Sequence, residues 1–261
     1  MARRNTTTNN NTRTLGQHML VDQRIVEKIV RVAEIRSHET ILEAGTGHGT
    51  LTAELCKVAK HVVSYEIDSN LYNKAREQLF SSSSSSSLPP RNLDLLNADL
   101  FRTKCLNQFD VFVSNLPYSR SRDAFEWLST QKFGRAIVMV QDEFANKLTA
   151  RPGSKNYRAI SVLAAYCFVI EKLFKVGKES FEPQPKIESA VIKIIPINII
   201  TKQVLKSINL LFSKRNKKAT SVIAQAGVDN INANYGNTRI DELEPRNIVN
   251  IAESISNVHS V

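Results

Sequence analysis

The sequence predicts an α/β fold, a doubly wound parallel sheet with a small helical domain after it, and three observations carry the prediction. Apolar stretches of strand length recur at residues 40–43, 61–67, 93–96, 111–114, 136–140 and 189–195, with helical spacing between several of them. The first stretch runs into a glycine-rich loop, Gly45-Thr46-Gly47-His48-Gly49, that opens directly onto a helical pattern. The order strand, helix, strand, helix sets parallel strands side by side. Beyond Pro196 the strand pattern stops and only helical spacing remains.

Taken in order, residues 1–14 are polar and basic with no apolar periodicity, the signature of a disordered arm. Asp22 can cap a helix in which Ile25, Val26, Ile29, Val30 and Ala33 share one face. The strand at 40–43 delivers Glu43 two residues before Gly45, and Leu51, Ala53 and Leu55 begin the next helix. The strand at 61–67 carries Glu66 and Ile67 at its end, and Leu71, Ala75, Gln78 and Leu79 continue as a helix. Residues 81–87 are all serine, followed by Leu88-Pro89-Pro90, so 81–90 is read as a flexible surface insertion. Ala124, Trp127 and Leu128 mark a helix between the strands at 111–114 and 136–140. A proline-rich loop at 181–185 precedes the last strand. Helical spacing then returns at Leu205, Ile208, Leu211 and Phe212, Gly227 can end a further helix, and Pro245 can open one carrying Ile248, Ile251, Ala252 and Ile255. The expected division is an arm at 1–14, a main domain at 15–196 and a helical domain at 197–261.

Composition narrows the class of partner. A formal net charge of +10 on 261 residues favours a polyanion, because clustered Lys and Arg gain affinity by releasing phosphate counterions. Cys56, Cys105 and Cys167 lie far apart without paired spacing, which argues against a disulfide framework and a zinc site, and the five histidines show no ligand spacing. No metal is expected. The longest nearly apolar run, 160–170, falls short of the roughly 20 residues that span a bilayer. A cytoplasmic protein that does not enter membranes is expected.

The loop at 45–49 is spaced GxGxG, unlike the GxGxxG of dinucleotide sites. Glycines there admit a ligand close to backbone N–H groups. Glu43 can hold the ammonium of a bound amino acid, directly or through water, and Glu66, about 20 residues beyond the loop, stands where an acid accepts ribose hydroxyls. Adenosine with an amino-acid tail suits both. The competing reading is a tight turn with a solvated strand end. Asp99, after the strand at 93–96, is a candidate acceptor for the ligand's adenine amine, with a helix cap as the plainer reading of an isolated acid.

Asn115-Leu116-Pro117-Tyr118 follows directly on the strand at 111–114, at the carboxyl edge where open α/β sheets bind ligands. An exocyclic adenine nitrogen is a poor nucleophile because its lone pair is delocalised into the ring. The Asn115 side-chain carbonyl and the Leu116 backbone carbonyl can accept its two protons, Pro117 can fix the turn, and Tyr118 offers a face for an extruded base. The plainer alternative is a strand-ending turn with Tyr118 as a core aromatic.

In sequence order, Gly16-Gln17-His18-Met19-Leu20, the stretch from Glu43 to Thr52, Asn115-Leu116-Pro117-Tyr118, Val140-Gln141-Asp142-Glu143, Arg151-Pro152-Gly153-Ser154-Lys155, and Phe181-Glu182-Pro183-Gln184-Pro185-Lys186 with Ser189-Ala190-Val191 resemble the signatures of one family. They are similar to those of ribosomal RNA adenine N6-dimethyltransferases of the KsgA type, a group that includes the erythromycin-resistance methyltransferases. The resemblance implies a Rossmann-like class I S-adenosylmethionine-dependent methyltransferase sheet. It implies that Gln17, His18 and Leu20 border S-adenosylmethionine, that Gly45, Gly47, Glu66, Ile67, Asp99 and Asn115 contact it, and that Tyr118 and Phe181 sandwich the target adenine. His18 stands where the family usually has Asn, and Ser119-Arg120-Ser121-Arg122-Asp123 departs from the commoner Asn-Ile-Ser continuation.

Two basic groups are candidate RNA contacts. Lys214, Arg215, Lys217 and Lys218 stand between two helical patterns, and Arg151, Lys155 and Arg158 follow the signature at 140–143. Such clusters are ordinarily solvated faces, but a folded polyanion needs positioning contacts of this kind. The expected activity is dimethylation of two adjacent adenosines near the 3′ end of small-subunit ribosomal RNA, on the immature subunit, by a monomer. The alternatives are a large-subunit methyltransferase of the erythromycin-resistance type and a non-catalytic assembly or transcription factor.

Overall fold

Residues alternate between two apolar faces along each central strand, and that alternation builds the molecule. In the computed structural model, which describes residues 18–80, 89–103, 108–228 and 235–258, a two-residue strand β1 (Met19–Leu20) precedes helix α1 (Gln23–Val32). Then come β2 (Thr40–Ala44), α2 (Thr50–Val58), β3 (His61–Tyr65), α3 (Ser69–Phe80), β4 (Leu93–Leu96), β5 (Val111–Asn115), α4 (Ser121–Leu128) and β6 (Arg135–Gln141). The second half holds α5 (Asp142–Leu148), α6 (Ala159–Cys167), β7 (Phe168–Val176), β8 (Phe181–Glu182), β9 (Ser189–Pro196), α7 (Lys202–Ser213), α8 (Ala219–Gln225) and α9 (Pro245–Val258). The expected arm at 1–14, Gln17 and the serine run lie outside the described residues.

The main sheet has seven strands in the order β4-β3-β2-β5-β6-β9-β7. The first five are parallel, and β9 runs antiparallel to both β6 and β7. The sheet is therefore mixed at one edge, where the sequence pattern predicts parallel strands throughout. Ile41, Val111, Val113, Ile137 and Met139 pack with Val26, Ile29, Leu51 and Leu55 of α1 and α2 on one face. Leu42, Val63, Phe112, Val138 and Ile192 pack on the other with α4 and α6. Strands buried on both faces read as continuous apolar runs, which is why they were visible in the sequence.

Asp22 caps α1 as expected, its side chain accepting from the Arg24 N–H. Beyond β9 the described residues are helices and turns. Ile248, Ile251, Ala252 and Ile255 of α9 are all buried, and α9 packs on α6 and α7 within the cluster that covers the sheet. Tyr157, fully buried, donates its hydroxyl to the Leu243 carbonyl at 3.0 Å and ties the segment before α6 to the one before α9. Among the described residues no helix is long and apolar enough to cross a membrane, and no group of His, Cys, Asp and Glu could hold a metal ion.

Strand register positions the site. Glu43 lies level with Ser64 on β3 and with Val113 on β5, so the carboxyl ends of β2, β3 and β5 open at one edge. Glu43, Glu66 and Asn115 arrive there together.

Candidate active site

The turn after β2 depends on its glycines. Gly45 and Gly47 have φ of 85° and 59°, in the left-handed region that residues with a Cβ rarely adopt. A Cβ on Gly45 would stand 3.7 Å from the Asn115 carbonyl oxygen and 3.8 Å from Pro117 Cδ, so the loop hugs the strand end that carries Asn115. The Gly45 N–H donates to the Tyr65 carbonyl at 2.7 Å, fastening the loop to the end of β3.

Two carboxylates flank the loop in different states. Glu43 is fully buried beneath it; its Oε2 accepts from Thr52 Oγ1 and Ser64 Oγ, each at 2.6 Å, while Oε1 has no hydrogen-bond partner. Burial pushes its pKa up to about 7, against the pull of the two hydroxyls. Glu66 is 3% exposed and accepts from the Gly47 N–H and the Asp68 N–H, both at 2.9 Å. Desolvation raises its pKa too. Each Glu66 oxygen keeps a second lone pair for a ligand hydroxyl.

Two clefts meet over Gly45, Glu66 and Pro117. One, of about 50 Å³, is lined by His18, Leu20, Gly47, Leu51 and Asn115 among others. The other, of about 130 Å³, is walled by Tyr65, Ile67, Asp99, Leu100, Phe101 and Arg120. Together they form a trough with a polar, glycine-floored end and a mostly apolar end. Of the residues expected at the cofactor, the structure thus brings His18, Leu20, Gly45, Gly47, Glu66, Ile67, Asp99 and Asn115 to one trough, with Glu43 buried two residues before the glycine loop. Asp99 also caps its own turn, accepting from the Phe101 N–H at 3.0 Å.

Past Asn115 the chain turns sharply at Pro117 (φ −53°) into a 3-10 turn, Tyr118–Arg120. Leu116 is buried at 3% exposure. The Asn115 side chain makes no hydrogen bond to any described residue and borders the trough. The Tyr118 hydroxyl and Ser189 Oγ lie 2.7 Å apart, which links the turn to the start of β9. Partial burial raises the Tyr118 pKa, so the phenol stays neutral at physiological pH.

The segment His18–Leu20 that lines the trough is held by a long-range pairing: β1 runs antiparallel to β8, Leu20 opposite Phe181. His18 Nδ1 sits 2.7 Å from the Pro183 carbonyl, and its ring meets that of Tyr118 at 5.4 Å between centroids. Phe181 is 3% exposed and packs in the cluster with Leu20, Val26 and Leu51. Among the described residues the ring in contact with Tyr118 is that of His18.

The two basic groups adjoin. The Gly153 N–H donates to the Asp241 carbonyl at 2.7 Å, and the Asp241 N–H donates to the Arg215 carbonyl at 3.2 Å. Arg151, Lys155, Lys217 and Lys218 are exposed, whereas Lys214 is bonded to Gln225 and Arg158 to the Lys155 and Tyr157 carbonyls. Sequence spacing had left these groups about 60 residues apart without a reason to join them.

Residues 8–257 match the model of a family described as ribosomal RNA adenine dimethylase. The chain belongs to the ribosomal RNA adenine dimethylase family. Members of this family transfer methyl groups from S-adenosylmethionine to adenine in ribosomal RNA, so this chain is an S-adenosylmethionine-dependent ribosomal RNA adenine dimethyltransferase. Among its relatives is the ribosomal RNA small subunit methyltransferase A of Thermotoga maritima, 35% identical over 78% of this chain and 71% of the relative. A probable ribosomal RNA small subunit methyltransferase A of Methanosarcina mazei is 29% identical over 95% of this chain and 94% of its own length. A dimethyladenosine transferase from Plasmodium falciparum shares the fold, with a TM-score of 0.70 and 23% identity over 90% of this chain and 96% of that one. The 23S rRNA methyltransferase ErmE has a TM-score of 0.60 and 25% identity, covering 91% of this chain and 99% of its own.

Proposed function

We propose that this dimethylase acts on adjacent adenosines near the 3′ end of small-subunit ribosomal RNA, in the cytoplasm, as a monomer on the immature subunit. The observation that carries the proposal is the junction of the donor trough with Asn115 and Tyr118 at one sheet edge. The small-subunit address is supported by the names of the relatives, which extend over most of this chain.

The residues fit S-adenosylmethionine. Glu43 Oε1 is buried without a partner two residues before the glycine loop, the loop gives its backbone to a ligand without Cβ obstruction, and Glu66 has acceptor capacity for ribose hydroxyls. Ile67 and Leu100 offer apolar walls for a purine, and Asp99 an acceptor beside it. When bound, the donor supplies a methyl group on a good sulfonium leaving group.

Orientation is then the main task of the protein. Asn115 accepts a hydrogen bond from the exocyclic amine, the Leu116 carbonyl accepts the second, and the nitrogen is held pyramidal with its lone pair toward the donor. Pro117 keeps both acceptors pointed inward. Tyr118, anchored through Ser189, provides the platform for the extruded base, while Phe181 of β8, buried in the core opposite Leu20, backs β1 and offers no open face to the base. Arg151, Lys155, Arg158, Lys214, Arg215, Lys217 and Lys218 grip the phosphate backbone. The test is to incubate the purified protein with labelled donor and separated immature ribosomal subunits: label is expected in the small subunit, and label confined to the large subunit overturns the address.

A further inference from the structure

We propose that Arg120 is a positioning residue for the methyl donor: its guanidinium closes the outer wall of the purine-side cleft and holds Asp99 with one oxygen facing the purine amine. The proposal rests on the donor reading above. Arg120 ends the 3-10 turn that begins at Tyr118, yet its side chain points back across the cleft mouth to the turn after β4. Its Nη2 donates to both oxygens of Asp99, at 2.8 and 2.9 Å, and its Nη1 lies 3.3 Å from Asp123 Oδ2. The guanidinium carbon sits 5.2 Å from the centre of the Phe101 ring, within the range of a cation–π contact.

Two consequences follow from that placement. First, Arg120 is not a phosphate grip: two carboxylates already face its charge, and its side chain is 22% exposed. Second, Arg120 and Phe101 line both the purine-side cleft and a shallower outer groove that carries Lys202 and Lys206. They are the partition between the two. Asp99 Oδ1 accepts from both the Phe101 N–H and Arg120, whereas Oδ2 accepts from Arg120 alone and so keeps a second lone pair for a ligand N–H. Arg102, a solvent-facing side chain with its Nε 3.6 Å from Asp99 Oδ2, competes for the same carboxylate from outside. Without Arg120 the carboxylate is free to turn toward Arg102, and the partition opens. The same residue also ties the catalytic turn to the donor wall.

The test compares equilibrium binding of S-adenosylhomocysteine with that of its analogue bearing unsubstituted purine for adenine. Calorimetry is run on the full chain as wild type, Arg120→Met and Arg120→Lys. The wild type is expected to prefer the adenine compound by about tenfold or more, the worth of a hydrogen bond to a charged group. Arg120→Met is expected to lose that preference while binding the purine analogue nearly as before, and Arg120→Lys to restore part of it. Arg120→Met with the wild-type preference overturns the proposal. If that variant does not fold, Arg120→Gln serves in its place, with the same expected loss and the same overturning result. A wild type that binds neither compound overturns the donor reading, and the proposal with it.

Discussion

Replacing Glu43 with Gln is expected to stabilise the free protein at alkaline pH and to weaken its hold on the donor. The carboxyl has its pKa moved from 4.5 to about 7 by burial. At about 1.4 kcal/mol per pH unit, that shift represents roughly 3 kcal/mol of destabilisation once the group is ionised. The sign follows from proton binding. The folded state holds this proton more tightly than the unfolded chain, so the group's favourable contribution is complete below about pH 4.5 and is lost as pH rises toward and through 7. A neutral amide has no such slope. Its carbonyl can take over the hydroxyls of Thr52 and Ser64, but its NH2 falls where Oε1 now has no partner, at a cost of about 1 kcal/mol. The net expectation is a gain of about 2 kcal/mol at pH 8, or roughly 4–8 °C in Tm, shrinking to nothing or a small loss near pH 4.5. Urea unfolding at the two pH values measures it. Donor affinity should fall about tenfold in the variant, because an ionised carboxylate facing an ammonium is replaced by a dipole. Parallel pH-stability profiles for wild type and Glu43→Gln would refute the reasoning.

The remaining predictions concern turnover and RNA. Asn115→Ala should lower kcat by about 10²–10³ while leaving donor affinity within a few-fold, as single-turnover kinetics and calorimetry would show. Tyr118→Ala should reduce kcat/KM for RNA by about tenfold or more through lost stacking, whereas Tyr118→Phe, which loses only the contact with Ser189, should cost much less. Lys217→Gln with Lys218→Gln removes two exposed charges; RNA affinity should drop and its salt slope shrink by roughly 1–2, with donor binding unchanged.

The central parallel strands β2, β3, β5 and β6 were legible because both faces of each are buried, so apolar runs bounded by glycine, proline or charge mark them within a residue or two. Glu43, Glu66 and Asn115 were legible for the same reason: each stands at a strand's carboxyl end, and the fold brings those ends together. The run 160–170 hid an element boundary. Helix α6 is buried nearly all round, so it lacks a polar stripe, and it passes into β7 at Phe168 without a glycine or proline. The pairing of β1 with β8 joins segments about 160 residues apart, each two residues long, and no local pattern signals it. That pairing sets Phe181 into the core and His18 against Tyr118. The Asp99–Arg120 pair was hidden likewise, because it joins turns after two different strands. The sequence around Arg120 offers no partner for its charge; its inward direction depends on the 3-10 turn that Pro117 starts.

The most direct test of the account is nucleoside analysis of immature small subunits incubated with labelled S-adenosylmethionine and either the wild-type protein or Asn115→Ala. The account predicts label in N6,N6-dimethyladenosine with the wild type and almost none with a variant that still binds the donor. Label absent from adenine with a wild type that binds the donor, or equal labelling by the two proteins, would contradict it.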